Sequence, residues 1–426
     1  MRTHTLLYTI AVVLTGMFSA FGCASTSDEV EVVGESWAMH VIDSTSNGAD
    51  GVRLADFDGD GHLDIVTAWE EGGRIRVYRN PGPTGAREAW RNVTVGAVDS
   101  PEDAFFVDLD GDGNLDVVSL TEGTDRTVYV HWAPADPEQY LNPDAWTTEA
   151  VPDSRGRMQW MFGFPLALRD TALPDVVLTA KNTGAELGWY ETGDSPRDLA
   201  QWTWRTITPV GWAMTIMPVD MNGDGRLDIL LSDRKNVPAD SVFLRAIRWL
   251  ENPGSDSDSA LRSHWPNHFI GGQDDEVMFL AYDDLDGDGL DDIIVPTRTG
   301  PILVFTRTAD TPDDWHLTRL PMPLNTGTGK SAAIGDVNGD GINEIVVTCE
   351  NARDGRIGVF YLSRRSSVDD AWTAHNIGGP RGVKYDLVRL IDLDHDGDLD
   401  VLTCEETEGL GVIWYENPTI SRGATE

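Results

Sequence analysis

Short apolar runs recur along this chain, and each follows a polar loop. The runs read LDIV, LDVV, LDIL, DDIIV, NEIVV and LDVL, beginning at Leu63, Leu115, Leu227, Asp291, Asn343 and Leu399. They are too short for helices and rich in β-branched residues, so each predicts a buried strand. A second periodic element is a Trp followed five residues later by Ile, Val or Leu. It occurs at Trp37, Trp90, Trp146, Trp202, Trp265, Trp315 and Trp372. A third is the string VYRNP, GWYETG, RWLENPG and VIWYENP, with weaker copies at Val304 and Val359. Each unit then has four strands: one entering the polar loop, one leaving it, one carrying the WYENP-like string and one carrying the Trp. Seven such units predict an all-β fold, a seven-bladed β-propeller of four-stranded blades. The chain opens on a Trp strand and ends on a WYENP strand. The first strand is therefore expected to complete the last blade, which removes a free sheet edge.

The polar loops carry the chemistry. They read DFDGDGHLD, DLDGDGNLD, DMNGDGRLD, DLDGDGLDD, DVNGDGINE and DLDHDGDLD, starting at Asp56, Asp108, Asp220, Asp284, Asp336 and Asp392. Oxygens at positions one, three, five and nine converge if the loop curls, and Gly at position four or six permits the curl. The carbonyl of position seven adds another oxygen. The candidate ligands are Asp56, Asp58, Asp60, His62 and Asp64; Asp108, Asp110, Asp112, Asn114 and Asp116; and Asp220, Asn222, Asp224, Arg226 and Asp228. The later loops offer Asp284, Asp286, Asp288, Leu290 and Asp292; Asp336, Asn338, Asp340, Ile342 and Glu344; and Asp392, Asp394, Asp396, Asp398 and Asp400. An all-oxygen set with loose geometry suits Ca2+; Mg2+ demands a stricter octahedron, and zinc would want thiolate or imidazole. An EF-hand is excluded, because it needs flanking helices and a Glu at position twelve. Solvated acidic turns are the bland alternative for one copy, but six copies in one register argue against it. A degenerate seventh copy ends at Leu173-Pro174-Asp175-Val176-Val177. It places Ala167, Arg169 and Thr171 at ligand positions, so about six Ca2+ sites are expected and none in blade 3.

These loops and strings resemble the FG-GAP and VCBS repeat proteins, a group that includes the integrin α-subunit head. The resemblance covers roughly residues 36 to 420. FG and GAP tetrapeptides are mostly absent, so the likeness is to the bacterial exported type. It implies export, calcium in the blade loops and a role in adhesion or carbohydrate interaction; a few similar propellers are sugar lyases or dehydratases.

The charge of −39 over 426 residues disfavours nucleic acid as a partner, since phosphate binding needs a basic face. Arg2, the apolar stretch Leu6 to Ala20 and small residues around Cys23 read as a signal peptide over residues 1–23. Ala20-Phe21-Gly22-Cys23 also resembles a lipobox, departing from it at Ala20 and Phe21. Lipidation of Cys23 and simple cleavage both stay open, so a membrane enters only through an N-terminal lipid anchor. Residues 24–35 read as a polar tether, 36–420 as the propeller and 421–426 as a tail; the expected location is the bacterial envelope, periplasm or exterior. Export permits a disulfide between Cys349 and Cys404, but a one-residue offset points them differently, so two buried thiols are the leading expectation and a bridge the alternative.

A ligand is expected on the face opposite the acidic loops. Six residues beyond each loop stand Glu70, Glu122, Lys181, Arg234, Arg298, Glu350 and Glu406. Six residues before each loop stand Asp50, Glu102, Met161, Met214, Met278, Lys330 and Asp386. With Trp160 and Trp212, the sector of blades 3 to 5 combines Trp, Met and cationic groups. It suggests a sugar cleft with Trp160 and Trp212 stacking and Lys181, Arg234, Arg298 and Lys330 binding acid groups. Ordinary core packing and strand-end solvation explain the same residues. His40, His268 and His375 share a repeat position and read as structural; His131 breaks the pattern. No nucleophile elbow, phosphate loop, metalloprotease helix or zinc-type cysteine pair is present. The leading expectation is a module binding carbohydrate or an extracellular protein. The alternative is a carbon–oxygen lyase or dehydratase of sugars, drawing on Lys181, Arg234, Arg298, Tyr190 and Tyr385. Glu350 and Glu406 are too ordinary here to mark a glycosidase pair.

Overall fold

The structure is a computed structural model, which describes residues 30–193, 195–236, 245–254 and 258–420. Seven antiparallel sheets follow one another along the chain, each with four strands of the ring. Blade 1 is representative: Ala49–Ala55 enters the acidic loop, Asp64–Trp69 leaves it, and Arg74–Arg79 and Arg91–Gly96 follow outward. The second strands of blades 1, 2, 4, 5 and 7 are buried along their whole length, as the apolar runs require. Packing between adjacent blades buries the large side chains Trp69, Trp189, Trp249 and Trp414 fully.

Two of the three sequence motifs, the acidic loop and the NP string, are parts of one clip. The ninth loop residue accepts a backbone N–H from loop position two and another from the end of the third strand. In blade 1, Phe57 N donates to Asp64 Oδ2 (3.0 Å) and Asn80 N to Asp64 Oδ1 (2.7 Å). Blades 4 and 7 repeat this at Asp228 and Asp400. The Asn of the NP string adds its own amide, with Asn80 Nδ2 reaching Leu63 O and Asn252 Nδ2 reaching Leu227 O, both at 3.0 Å. The repeated Trp works on the outer edge. Trp90, Trp146, Trp202, Trp265, Trp315 and Trp372 each donate Nε1–H to a carbonyl three to six residues earlier, pinning the turn before the fourth strand.

The ring closes as expected. Ala38–Asp43 pairs antiparallel with Gly411–Glu416, and so supplies the outer strand of blade 7. Trp414 Nε1 donates to Ala86 O of blade 1 (3.1 Å), and Arg87 reaches both Glu416 and Asp394. These groups tie the last blade to the first. One part of the segment read as a tether is also docked. Val32–Val33 pairs in parallel with the outer strand of blade 6, and Asn325 holds both backbone groups of Val32.

Residues 1–29, with Cys23 and the expected signal peptide, and residues 421–426 lie outside the described residues. Among the described residues no helix is long and apolar enough to cross a membrane. Cys349 and Cys404 are free and buried, and burial raises both thiol pKa values.

Candidate functional site

The acidic loops curl as their spacing requires. In blade 1, Asp56 accepts from Asp60 N and Gly61 N, while Gly59 and Gly61 take φ of 74° and 90°. Only Gly adopts such angles without strain. Blade 7 departs at His395, which holds φ 56° where the other loops have Gly. Carboxylate oxygens of Asp56, Asp58 and Asp64 lie within 4.8 Å of one another, as do those of Asp108, Asp110 and Asp112. Two oxygens ligating one Ca2+ at about 2.4 Å are at most about 4.8 Å apart, so these residues fit the ion. Arginines also reach the loops: Arg79 to Asp58 (2.5 Å), Arg197 to Asp110 (2.5 Å), Arg226 to Asp224 and Arg87 to Asp394.

Blade 3 carries its own cation. Arg169, at the third loop position, donates Nη2–H to Asp175 Oδ1 at 2.6 Å and Nε–H to both Asp175 oxygens. Asp175 is fully buried. The guanidinium stands beside the ninth-position carboxylate, where the other loops gather further carboxylates.

The opposite end of the channel is a cavity of about 270 Å³. Every blade contributes to it: Asp50 and Glu70, Glu102 and Glu122, Met161, Phe162 and Lys181, Trp212, Met214 and Arg234, Phe279 and Arg298, Lys330 and Glu350, Lys384 and Asp386. Twelve of the fourteen equivalent positions picked out by counting from the loops therefore line one cavity. The exceptions are Met278, buried behind the wall, and Glu406, which pairs with the cavity residue Lys384.

Charges segregate around this mouth: blades 7, 1 and 2 bring mostly carboxylates, blades 3 to 5 bring cations, and ion pairs join the two sides. Lys181 Nζ is 2.8 Å from Glu102 and also contacts Glu122. Arg234 Nε is 2.6 Å from Glu276, and Arg298 is 3.4 Å from both Glu276 and Glu350. Lys330 is 3.4 Å from Asp386. The cations expected to await an anionic ligand are thus already paired with blade carboxylates. Burial would lower the Lys181 pKa, but Glu102 and Glu122 outweigh it and raise it. Burial raises Glu102 to about 8. Burial and then Asp386 raise Glu406 to about 8, and burial with Asp386 holds Asp50 well above the carboxylate range.

Trp212 is the tryptophan of the mouth. Lys235, Arg234 and Lys181 lie 4.2, 4.4 and 4.9 Å from its ring centroid. Trp160, expected beside it, is instead fully buried; its Nε1 donates to Ser154 O and its ring packs on Trp204 and Tyr190. The inner strand of blade 3 shifts register between Trp160 and Gly163, so Met161 and Phe162 both face the cavity while Trp160 turns into the blade. Tyr190 and Tyr385 are also corrections. Both are fully buried outside the cavity, Tyr190 against Trp204 and Tyr385 bonded to Tyr415 and Arg381 O. Phe162, Phe279, Lys384 and Glu276 went unnoticed in the sequence. The first two adjoin the Met positions, and that adjacency is the signal a bulge-aware reading would use.

The repeated histidines are structural. His40, His268 and His375 stack on Trp414, Trp249 and Tyr361 of the neighbouring strand, at 4.6, 4.1 and 4.5 Å. His131 is fully buried between Ser119 Oγ and Thr148 Oγ1, both at 2.8 Å, and burial pushes its pKa down to about 3. The unfolded chain therefore binds this proton below about pH 6.5 while the folded chain refuses it until about pH 3. His131→Gln is expected to flatten the loss of stability between those values. Urea melts at pH 7, 5 and 4 check this, and parallel pH profiles for variant and wild type would contradict it.

The FG-GAP-like repeat family model matches residues 56–119, 284–347 and 336–403. With the seven sheets, the chain is a seven-bladed propeller built of FG-GAP-like repeats. No curated protein matches it. Among solved structures, BBS1N in complex with ARL6DN, soaked with mercury, superposes with a TM-score of 0.50 at 11% identity, over 93% of this chain and 99% of its own. A luciferin-regenerating enzyme gives a TM-score of 0.42 at 12% identity, over 82% of this chain and 100% of its own. At these identities the likeness concerns the fold alone.

Proposed function

We propose that this protein is an exported binding module, stabilised by calcium in six blade loops, that takes a carbohydrate in the mouth of its central channel. The observation that carries this reading is the cavity to which all seven blades contribute. Concave sites with an apolar patch and converging polar groups are where small ligands bind. Sugar hydroxyls both donate and accept, and they match a mouth that offers carboxylates on one side and ammonium and guanidinium groups on the other. Phe162, Phe279 and Trp212 supply apolar surface. Since the cations are ion-paired, a neutral or mixed-charge sugar fits better than a polyanion. Calcium here holds loops in shape at the far face, through the carboxylates named above.

A glycan array followed by calorimetry tests the reading. Trp212→Ala is expected to weaken binding about tenfold, some 1.4 kcal/mol. Trp160→Phe, in the blade core, should leave affinity unchanged. Equal effects of both, or binding untouched by Trp212→Ala, would contradict it.

Glu102 and Glu406, each raised to about 8, favour one second reading, a carbon–oxygen lyase whose base is a mouth carboxylate. Release of unsaturated sugar from uronic polysaccharides, lost in Glu102→Gln, would replace the pure binding reading.

A further inference from the structure

The acidic side of the mouth holds more negative charge than its lysines neutralise. Asp50, Glu70, Asp386 and Glu406 face Lys330 and Lys384, so four carboxylates meet two ammonium groups. Oxygens of Asp50, Asp386 and Glu406 lie within 4.8 Å of one another, and all three residues are buried. Like charges so placed repel strongly unless something positive stands between them.

A second observation points to what that is. Asp386 Oδ1 and Glu406 Oε1 are sealed from solvent with no N–H or hydroxyl donor on them, and the carboxyls of Asp50 and Glu406 stand within hydrogen-bond reach of Asp386. Asp386 is 2% exposed and Glu406 8%. Each residue uses its other oxygen on a lysine, Asp386 on Lys330 and Glu406 on Lys384. A buried carboxylate oxygen left without a partner is costly, and in a native structure it marks an ion, a water or a proton. A water could donate to both oxygens but would leave the excess negative charge in place. A bare cation is smaller, satisfies both oxygens at once and cancels the excess of two charges.

We propose a hard divalent cation, calcium by its all-oxygen donors, held in the channel mouth by Asp50, Asp386 and Glu406 with Glu70 at its edge. This site is separate from the six loops, which lie on the opposite face and at the far ends of the inner strands. The ion would then sit in the wall of the proposed sugar cavity, where vicinal hydroxyls can reach it. Cation binding does not depend on the sugar reading, because it is measured without sugar.

The test counts bound calcium by equilibrium dialysis on the full chain, in wild type and in Glu406→Gln and Asp50→Asn. Wild type is expected to hold one more ion per chain than either variant, with the loop ions retained in all three. Equal counts in folded variants and wild type would overturn the site. Should a variant fail to fold, manganese-soaked wild-type crystals decide it. An anomalous peak between Asp386 and Glu406 supports the ion. A bare mouth, with a protonated-carboxyl infrared band that persists in saturating calcium, means the carboxylates share a proton and the proposal fails. Glycan calorimetry in calcium-replete buffer is scored separately, so either reading can fail alone.

Discussion

Chelation of calcium is expected to lower the thermal midpoint on the order of 20 °C, from about 2.7 kcal/mol per site at a hundredfold excess over Kd, summed over six loops. The reason lies in what each loop closes. Its first carboxylate collects the backbone N–H groups of the curl, and its ninth joins loop, second strand and third strand. Without a cation the clustered carboxylates must repel or take up protons. Burial first, then neighbouring loop carboxylates, raise Asp64 to about 6 and Asp292 and Asp400 to about 7. Scanning calorimetry with and without chelator checks the shift. A midpoint insensitive to calcium from micromolar up to about 0.1 M, a hundredfold above a Kd of about 10⁻³ M, would contradict it.

Arg169→Met is expected to cost about 3 to 5 kcal/mol, the usual result of stripping one partner from a buried ion pair. Asp175 is fully buried and takes two groups of Arg169 as well as Thr192 N (3.3 Å). Removing the guanidinium leaves that carboxylate charged and enclosed. The loss should be the same with and without calcium, because this blade supplies its cation from its own chain. Arg169→Met with Asp175→Asn should recover part of it. A single variant as stable as wild type would show that Arg169 does not stand in for an ion.

Much of this was legible in the sequence because the repeat is rigid. A nine-residue loop between two strands fixes which residues reach the channel mouth. Counting six positions either way from it therefore located Asp50, Glu102, Lys181, Arg234 and Lys330 in one cavity. Paired motifs were legible for the same reason: Asn80 and Asp64 are bonded to each other, so they recur together. What counting could not reach was local irregularity. The register shift after Trp160 brings Phe162 into the cavity beside Met161, whereas a period of two would keep Phe162 on the same face as Trp160. Tyr190 and Tyr385 were misplaced because a tyrosine in a strand reads alike whether its hydroxyl meets solvent or a buried partner. Pairing was equally invisible. Lys181 reads as a free cation in the chain, yet it is held between carboxylates of blade 2, one blade away.

The placing of the ligand is the central claim, and a crystal structure of the calcium-loaded protein soaked with a sugar chosen from the array tests it most directly. Sugar density against Trp212 within the channel mouth is the predicted result. Density among the acidic loops or on the outer strands, with the mouth bare, would contradict it.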